Sequence, residues 1–174
     1  MTIFVTGGAG FIGSEFIRQA IPAGKRVINF DKLTYAGNLD NLAPVAESPN
    51  YSLVIGDVCD AKAVSEAMPE NCDAVVHFAA ESHVDRSILS AEEFVRANVL
   101  GTQVMLDVAR HRKVKRFLHI STDEVGGDMA PDGWFREDSP LVPSSPYAAS
   151  KTAAPASVVC NKSDLAFIMY SPHP

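Results

Sequence analysis

The sequence predicts a single α/β domain built on a doubly wound parallel sheet of the Rossmann type, and three observations carry that prediction. Short apolar runs alternate with longer stretches of helical period, a glycine-rich turn separates the first run from the first helix, and an acid closes the second run. In order, strands are expected at TIFVT (2–6), RVINF (26–30), YSLVI (51–55), AVVHF (74–78), RFLHIS (116–121) and AFIMY (166–170). Right-handed crossovers between such strands leave few alternatives to a doubly wound sheet. A helix from Phe11 to Ala20 puts Ile12, Phe16, Ile17 and Ala20 on one face; a longer one from Ala91 to Arg112 does the same with Phe94, Val95, Val99 and Leu106. A third begins in SSPYAASK, Ser144 to Lys151, where serines suited to capping precede Pro146, whose missing N–H costs nothing at the first helical position. Between Val125 and about Pro143, three glycines and three prolines among acids predict a surface loop of functional kind.

Composition narrows the function. The 174 residues suffice for one core and would cramp a second domain, and 47% hydrophobic with 21% charged residues is the balance of an ordinary globular protein. A net charge of −6 opposes a nucleic-acid surface; the basic run RHRKVKR, Arg110 to Arg116, reads as the cationic close of a helix. Cys59, Cys72 and Cys160 have neither CxxC spacing nor a nearby histidine pair, so no metal site or disulfide framework is expected. The apolar start TIFVTGG is too short for a leader or a membrane span, and a cytoplasmic location is expected. His77 and His119 fall inside strand patterns and read as core residues, while His83 and Asp85 lie near the fourth strand's end without an assigned role.

Chemistry concentrates at strand ends. GGAGFIG, Gly7 to Gly13, has the glycine spacing that lets a backbone approach a pyrophosphate at a helix N-terminus, and Asp31, 18 residues after Gly13, stands where an acid accepts ribose hydroxyls. A carboxylate there repels a 2′-phosphate, which favours NAD over NADP. GDV (56–58) and FAAES (78–82) follow the third and fourth strands, and small Ala79 and Ala80 would let a cofactor pass close to the backbone. Tyr147 and Lys151, four apart on a helix, point the same way, and an ammonium beside the phenol is expected to lower its pKa toward that of a useful base. STDE, Ser121 to Glu124, admits two readings. One is a capping box from Ser121 to Glu124; the other is a turn presenting Asp123 and Glu124 as two separately tuned acids, which the glycines and proline that follow favour.

Taken together, TGGAGFIGS, DKLTYAGN, GDV, HFAAESHVDRSI, NVLGT, STDEV and PSSPYAASK resemble the dTDP-glucose 4,6-dehydratases of the extended short-chain dehydrogenase/reductase family, from Met1 to about Ala154. The resemblance implies a lyase holding NAD, with Thr122, Asp123, Glu124, Tyr147 and Lys151 as its catalytic residues. Gly7, Gly10, Phe11, Ile12, Gly13, Asp31, Lys32, Leu33, Thr34, Asp57, Val58, Phe78, Ala79, Ala80, Glu81, Ser82, Tyr147 and Lys151 would line the cofactor, and Ser82 and Thr122 would approach a nucleotide-sugar substrate. It further implies a homodimer, formed through the 91–112 helix and the Tyr147 helix. On this reading residues 1–174 are the NAD-binding domain, and the C-terminal substrate lobe is absent or truncated. The alternatives are a non-catalytic NAD-binding domain and a related nucleotide-sugar epimerase. Three departures stand out. Gly126 occupies a position where the family usually has Tyr, which would remove an aromatic wall; Ala97 replaces a more usual Thr; and Pro155 is expected to end or kink the Tyr147 helix.

Overall fold

The computed structural model describes residues 1–128, 134–136, 138–159 and 165–168, with side chains described as far as Ala154. Among the described residues six strands, β1 (Thr2–Thr6), β2 (Arg26–Asp31), β3 (Tyr51–Ile55), β4 (Ala74–His77), β5 (Phe117–Ile120) and β6 (Leu165–Ile168), form one sheet in the order β3-β2-β1-β4-β5-β6. Every neighbouring pair is parallel. The strand order reverses beside β1, which pairs with β2 on one side and β4 on the other, so a crevice opens at the carboxyl ends of β1 and β4. The expected strands agree with these to within a residue or two; Met169 and Tyr170 of the last lie outside the described residues.

Alternation along β1 feeds a core on each face of the sheet. Phe4 packs with Phe30, Val64, Met68, Met105 and Phe117 on one side, while Ile3 and Val5 join Ile17, Val27, Leu42 and Val76 on the other. Helices α2 (Ala61–Ala67) and α5 (Gly101–His111) contribute to the first layer. Helix α1 (Phe11–Ala20) and a 3-10 turn at Leu39–Val45 contribute to the second. Helix α2 starts where Asp60 caps the Lys62 and Ala63 amides, and α3 (Val84–Leu89) follows the loop after β4. The sequence pattern missed α2, α3 and the 3-10 turn because helices of six or seven residues are too short to show a stripe.

Three expectations need correction. In α1 the buried residues are Gly13, Ser14, Ile17 and Ala20, whereas Ile12 is 50% exposed and faces the crevice. The stretch expected as one helix from Ala91 to Arg112 is α4 (Glu92–Phe94), a wider π turn at Val95–Leu100, and then α5. The wide turn shifts the phase, so Phe94, Asn98, Thr102 and Met105 face inward and Val95 is 54% exposed. Finally, α6 (Pro146–Val159) does not stop at Pro155 but runs four residues beyond it. Its start is as expected, with Ser145 Oγ accepting from the Ala148 amide at 3.0 Å.

Two cations of the basic run bond to the protein's own surface. Arg112 donates to the Ser65 carbonyl and hydroxyl, and Lys115 pairs with Asp73. Cys59 and Cys72 are free thiols, and Cys160 lies outside the described residues. Among the described residues no helix is long and apolar enough to cross a membrane.

Candidate functional site

The crevice floor is the turn between β1 and α1. Gly7 has φ +68°, and a Cβ built on it would stand 2.6 Å from the Ala79 amide nitrogen. A Cβ on Gly13 would stand 2.4 Å from the Gly7 carbonyl oxygen. Both glycines are therefore demanded by the close approach of backbone to backbone. The first turn of α1 carries no side-chain cap, so its amides remain available to an anion. At the end of β2, Asp31 accepts from the Ala9 amide through Oδ2 and from the Leu33 amide through Oδ1, each at 2.8 Å. The acid thus fixes the glycine turn to the loop after β2.

Of the residues expected around a cofactor, Gly7, Gly10, Phe11, Ile12, Gly13, Asp31, Lys32, Thr34, Asp57, Val58 and Phe78 to Ser82 all line one cleft with Tyr147 and Lys151. Leu33 does not line it. Its backbone takes φ 53° and its side chain packs toward the second core cluster. Sequence reasoning missed Gly37, Cys59, Glu93 and Arg96 on the same wall. Arg96 is reached through the π turn, and no local pattern announces it. At this end Lys32 pairs with Asp57 at 2.9 Å, and Arg96 approaches the same carboxylate at 3.8 Å. Burial works to raise the Asp57 carboxyl, but the Cys59 amide and the Lys32 ammonium outweigh it, and the group sits below the usual carboxylate range.

The other end of the cleft holds the Tyr147 helix. The Tyr147 ring packs edge-on against Phe94 at 6.4 Å, and its amide donates to Ser87 Oγ on α3. Asn98, inside the π turn and 1% exposed, ties three elements together. Its Oδ1 accepts from the Glu81 amide, and its Nδ2 donates to the Glu81 carbonyl and to Ser150 Oγ on α6, all at 2.9 Å. A polar residue on an otherwise apolar helix face was the sequence signal that could have found it.

Thr122, Asp123 and Glu124 do not line the cleft itself but adjoin it. They form a 3-10 turn, Asp123–Gly126, after β5, and Thr122 rather than Ser121 caps it, its Oγ1 accepting from the Glu124 amide at 3.3 Å. The turn reading of STDE therefore holds over the capping box. The Thr122 side chain also works to lower the pKa of the Tyr147 phenol, and both acids bear on that phenol electrostatically. Burial, then the neighbouring Asp123 charge, raises the Glu124 carboxyl above its ordinary value. Ser121, on the cleft wall, has a buried hydroxyl without a hydrogen-bond partner among the described residues.

Gly126 stands against an aromatic ring after all, since a Cβ there would lie 2.3 Å from Phe135 Cε1. The loop supplies a ring beside the acidic turn in place of a side chain at 126.

The expected electrostatics of Tyr147 are reversed. Burial raises its pKa, the Thr122 side chain opposes, and Glu124 and Asp123 raise it further. The Lys151 ammonium instead donates to the Ile120 carbonyl at 2.7 Å, and burial brings its pKa down to about 8. Spacing alone shows that two side chains share a helix face; it does not show which acceptor captures the cation. A folded-state lysine near 8 against an unfolded value near 10.5 means the unfolded chain binds the extra proton between those pH values, so stability rises with pH there. Relative to Lys151→Met, in which thiol and phenol titrations are unchanged, the stability of the unliganded chain will rise by about 2 kcal/mol from pH 8 to pH 10, read by urea unfolding. An equal pH response in both chains would show that Lys151 is not buried as described.

The GDP-mannose 4,6 dehydratase family profile matches residues 4–168. The dTDP-glucose 4,6-dehydratase of Streptomyces niveus is 54% identical over an alignment of 159 residues, with 88% of this chain and 47% of that protein covered. The probable dTDP-glucose 4,6-dehydratase of Sinorhizobium fredii is 51% identical over an alignment of 164 residues, again with 88% of this chain and 47% of the other covered. Among solved structures, DesIV, the dTDP-glucose 4,6-dehydratase of Streptomyces venezuelae, crystallised with NAD and TYD bound, superposes with a TM-score of 0.92 at 45% identity. That match covers 99% of this chain and 57% of DesIV. The chain spans about half the length of the curated relatives it matches.

Proposed function

Because the chain belongs to the GDP-mannose 4,6-dehydratase family, we propose that it binds NAD in the cleft and carries the catalytic groups of a dTDP-glucose 4,6-dehydratase. The observation that carries this reading is the meeting of two sequence-distant motifs. The Tyr147 phenol is influenced by the Thr122 hydroxyl and by the charges of Asp123 and Glu124, on the wall of a cleft whose floor is the glycine turn.

A dinucleotide fits this cleft on the chain's own evidence. The glycine turn leaves no room for a Cβ where a pyrophosphate needs close backbone, α1 offers uncapped amides, and the Ser121 hydroxyl waits on the wall for a polar partner. Asp31 and Lys32 would hold the adenosine ribose end, and Tyr147 and Lys151 the nicotinamide end. The chemistry supplied by a bound nicotinamide is reversible storage of hydride, taken from sugar position 4 and given back at position 6, so no net redox change results.

Burial and the two acids hold the phenol protonated in the unliganded chain; with the positive charge of a bound nicotinamide to bring it down, Tyr147 would remove the proton from the position-4 hydroxyl, with Thr122 orienting the phenol. The ketone so formed acidifies position 5, where Glu124 as a carboxylate takes the proton. Asp123 protonates the hydroxyl leaving position 6, which departs as water. Two carboxyl groups in different surroundings thereby divide base and acid work. Ser82, exposed on the cleft rim, and Thr122 contact the sugar. Exposed Val95 and Leu100 on the 91–112 segment support the expected homodimer, in a cytoplasmic enzyme.

Incubation with NAD and dTDP-glucose is expected to yield the 4-keto-6-deoxy product. Asp123→Asn is expected to spare the initial oxidation and slow elimination by about 10²-fold or more, read as accumulation of the 4-keto-glucose form. Dehydration at the wild-type rate in that variant would remove Asp123 from the mechanism, and NAD retention without any product would leave dinucleotide binding as the chain's own function.

A further inference from the structure

Two loops form facing lips of the cleft. The first follows β2, and its Thr34, Ala36 and Gly37 line the cavity, while Tyr35 between them is 55% exposed. The second follows β4 and runs into α3. The Tyr35 side chain joins the two in three ways. Its phenol donates to Glu81 Oε2 at 3.2 Å, its ring face meets the Arg86 guanidinium at 4.5 Å, and its ring lies 5.9 Å from that of His83. Core burial does not hold a ring this exposed, so these polar and cation–π contacts between lips are what order it.

The two lips differ in firmness. Glu81 is clamped at both its amide and its carbonyl by the buried Asn98, which is itself bonded to α6. The Tyr35 side is a surface turn entered through Leu33 at φ 53° and fixed to the sheet by Asp31. A ligand filling the cleft between the glycine turn and Asp31 is bounded by both lips, and parting them requires Tyr35 to release Glu81 and Arg86.

We propose that Tyr35 is a strap that closes the β2 loop over the dinucleotide and sets the rates at which NAD enters and leaves. The proposal rests on the reading of the cleft as an NAD site. It gives Tyr35 and Arg86 a retaining role distinct from proton or hydride chemistry, suited to a cofactor that is regenerated within each turnover and has no need to exchange.

The test is stopped-flow fluorescence of NADH binding to the full chain and its release into excess unlabelled NAD, for wild type, Tyr35→Ala, Tyr35→Phe and Arg86→Gln. A strap slows passage in both directions. Tyr35→Ala is therefore expected to raise the dissociation rate at least tenfold and the association rate severalfold, with Tyr35→Phe and Arg86→Gln in between and melting temperatures unchanged. Dissociation within twofold of wild type in Tyr35→Ala overturns the strap, as does faster release accompanied by slower association, which is the mark of a simple contact residue. Tyr35→Phe keeps the test open should Tyr35→Ala fail to fold. Wild-type chain that takes up no NADH overturns the dinucleotide reading, and the strap with it; unchanged rates in a chain that binds overturn the strap alone.

Discussion

Acidifying the chain from pH 7 to pH 5 will lower its folding stability by about 4 kcal/mol, and two buried imidazoles will account for the loss. His77 sits at the end of β4 with Nδ1 2.6 Å from Thr6 Oγ1 and Nε2 3.1 Å from Thr102 Oγ1, and its ring lies 5.3 Å from that of His119. Each is 1% exposed. Burial, followed by the Lys151 charge, drives His77 to about 3 and His119 to about 2. Unfolded histidine titrates near 6.5, so below that pH the unfolded chain takes up protons that the folded chain refuses, and stability falls as pH falls. At pH 5 each ring contributes about 2 kcal/mol of that loss. Urea unfolding at pH 5, 6 and 7 measures it. His77→Gln and His119→Gln will each flatten the dependence by about half, whatever their stability at pH 7; a dependence as steep as that of wild type in both variants would refute the burial.

Gly7→Ala will destabilise the chain by about 3 kcal/mol or more and weaken NADH binding by at least 10²-fold, whereas Gly24→Ala will cost about 1 kcal/mol and leave binding intact. The two glycines share a left-handed backbone, φ +68° and φ +74°. The cost of a Cβ in that conformation is therefore common to both. Gly24 has nothing within 4 Å of a built Cβ, while at Gly7 the three nearest atoms, at 2.6 to 2.9 Å, all belong to the backbone of Phe78 and Ala79. Backbone cannot rotate out of the way as a side chain can, so overpacking adds to the conformational cost. Urea unfolding and NADH titration of both variants isolate the packing part by subtraction, and equal losses at the two positions would mean that the β1 turn and the loop after β4 do not touch.

What the sequence made legible was whatever depends on short-range pattern. Strand positions, the glycine turn, the start of α6 and the turn at STDE follow from spacing within a dozen residues, and Asp31 from its place 18 residues after Gly13; each is where it was expected. What stayed hidden depends on contacts across the fold. Phase along the 91–112 segment could not be read, because one wide turn moves Asn98 inward and Val95 outward without a proline or glycine inside the turn to signal it. The direction of the Tyr147 shift was misjudged since the Ile120 carbonyl, 31 residues from Lys151, captures the cation. Tyr35 joins a loop 46 residues away at Glu81, a pairing that no local window contains. An end of the helix at Pro155 was also misjudged, since α6 runs on to Val159, and a proline's local penalty does not by itself fix where a helix stops.

The ring of Phe135 occupies the space into which a side chain at Gly126 would point, which couples the two positions sterically. A single volume beside the acidic turn admits one aromatic group, delivered either from position 126 or from the neighbouring loop. Gly126→Tyr with Phe135 kept would overcrowd that volume, so the effects of substitutions at the two positions are expected not to add.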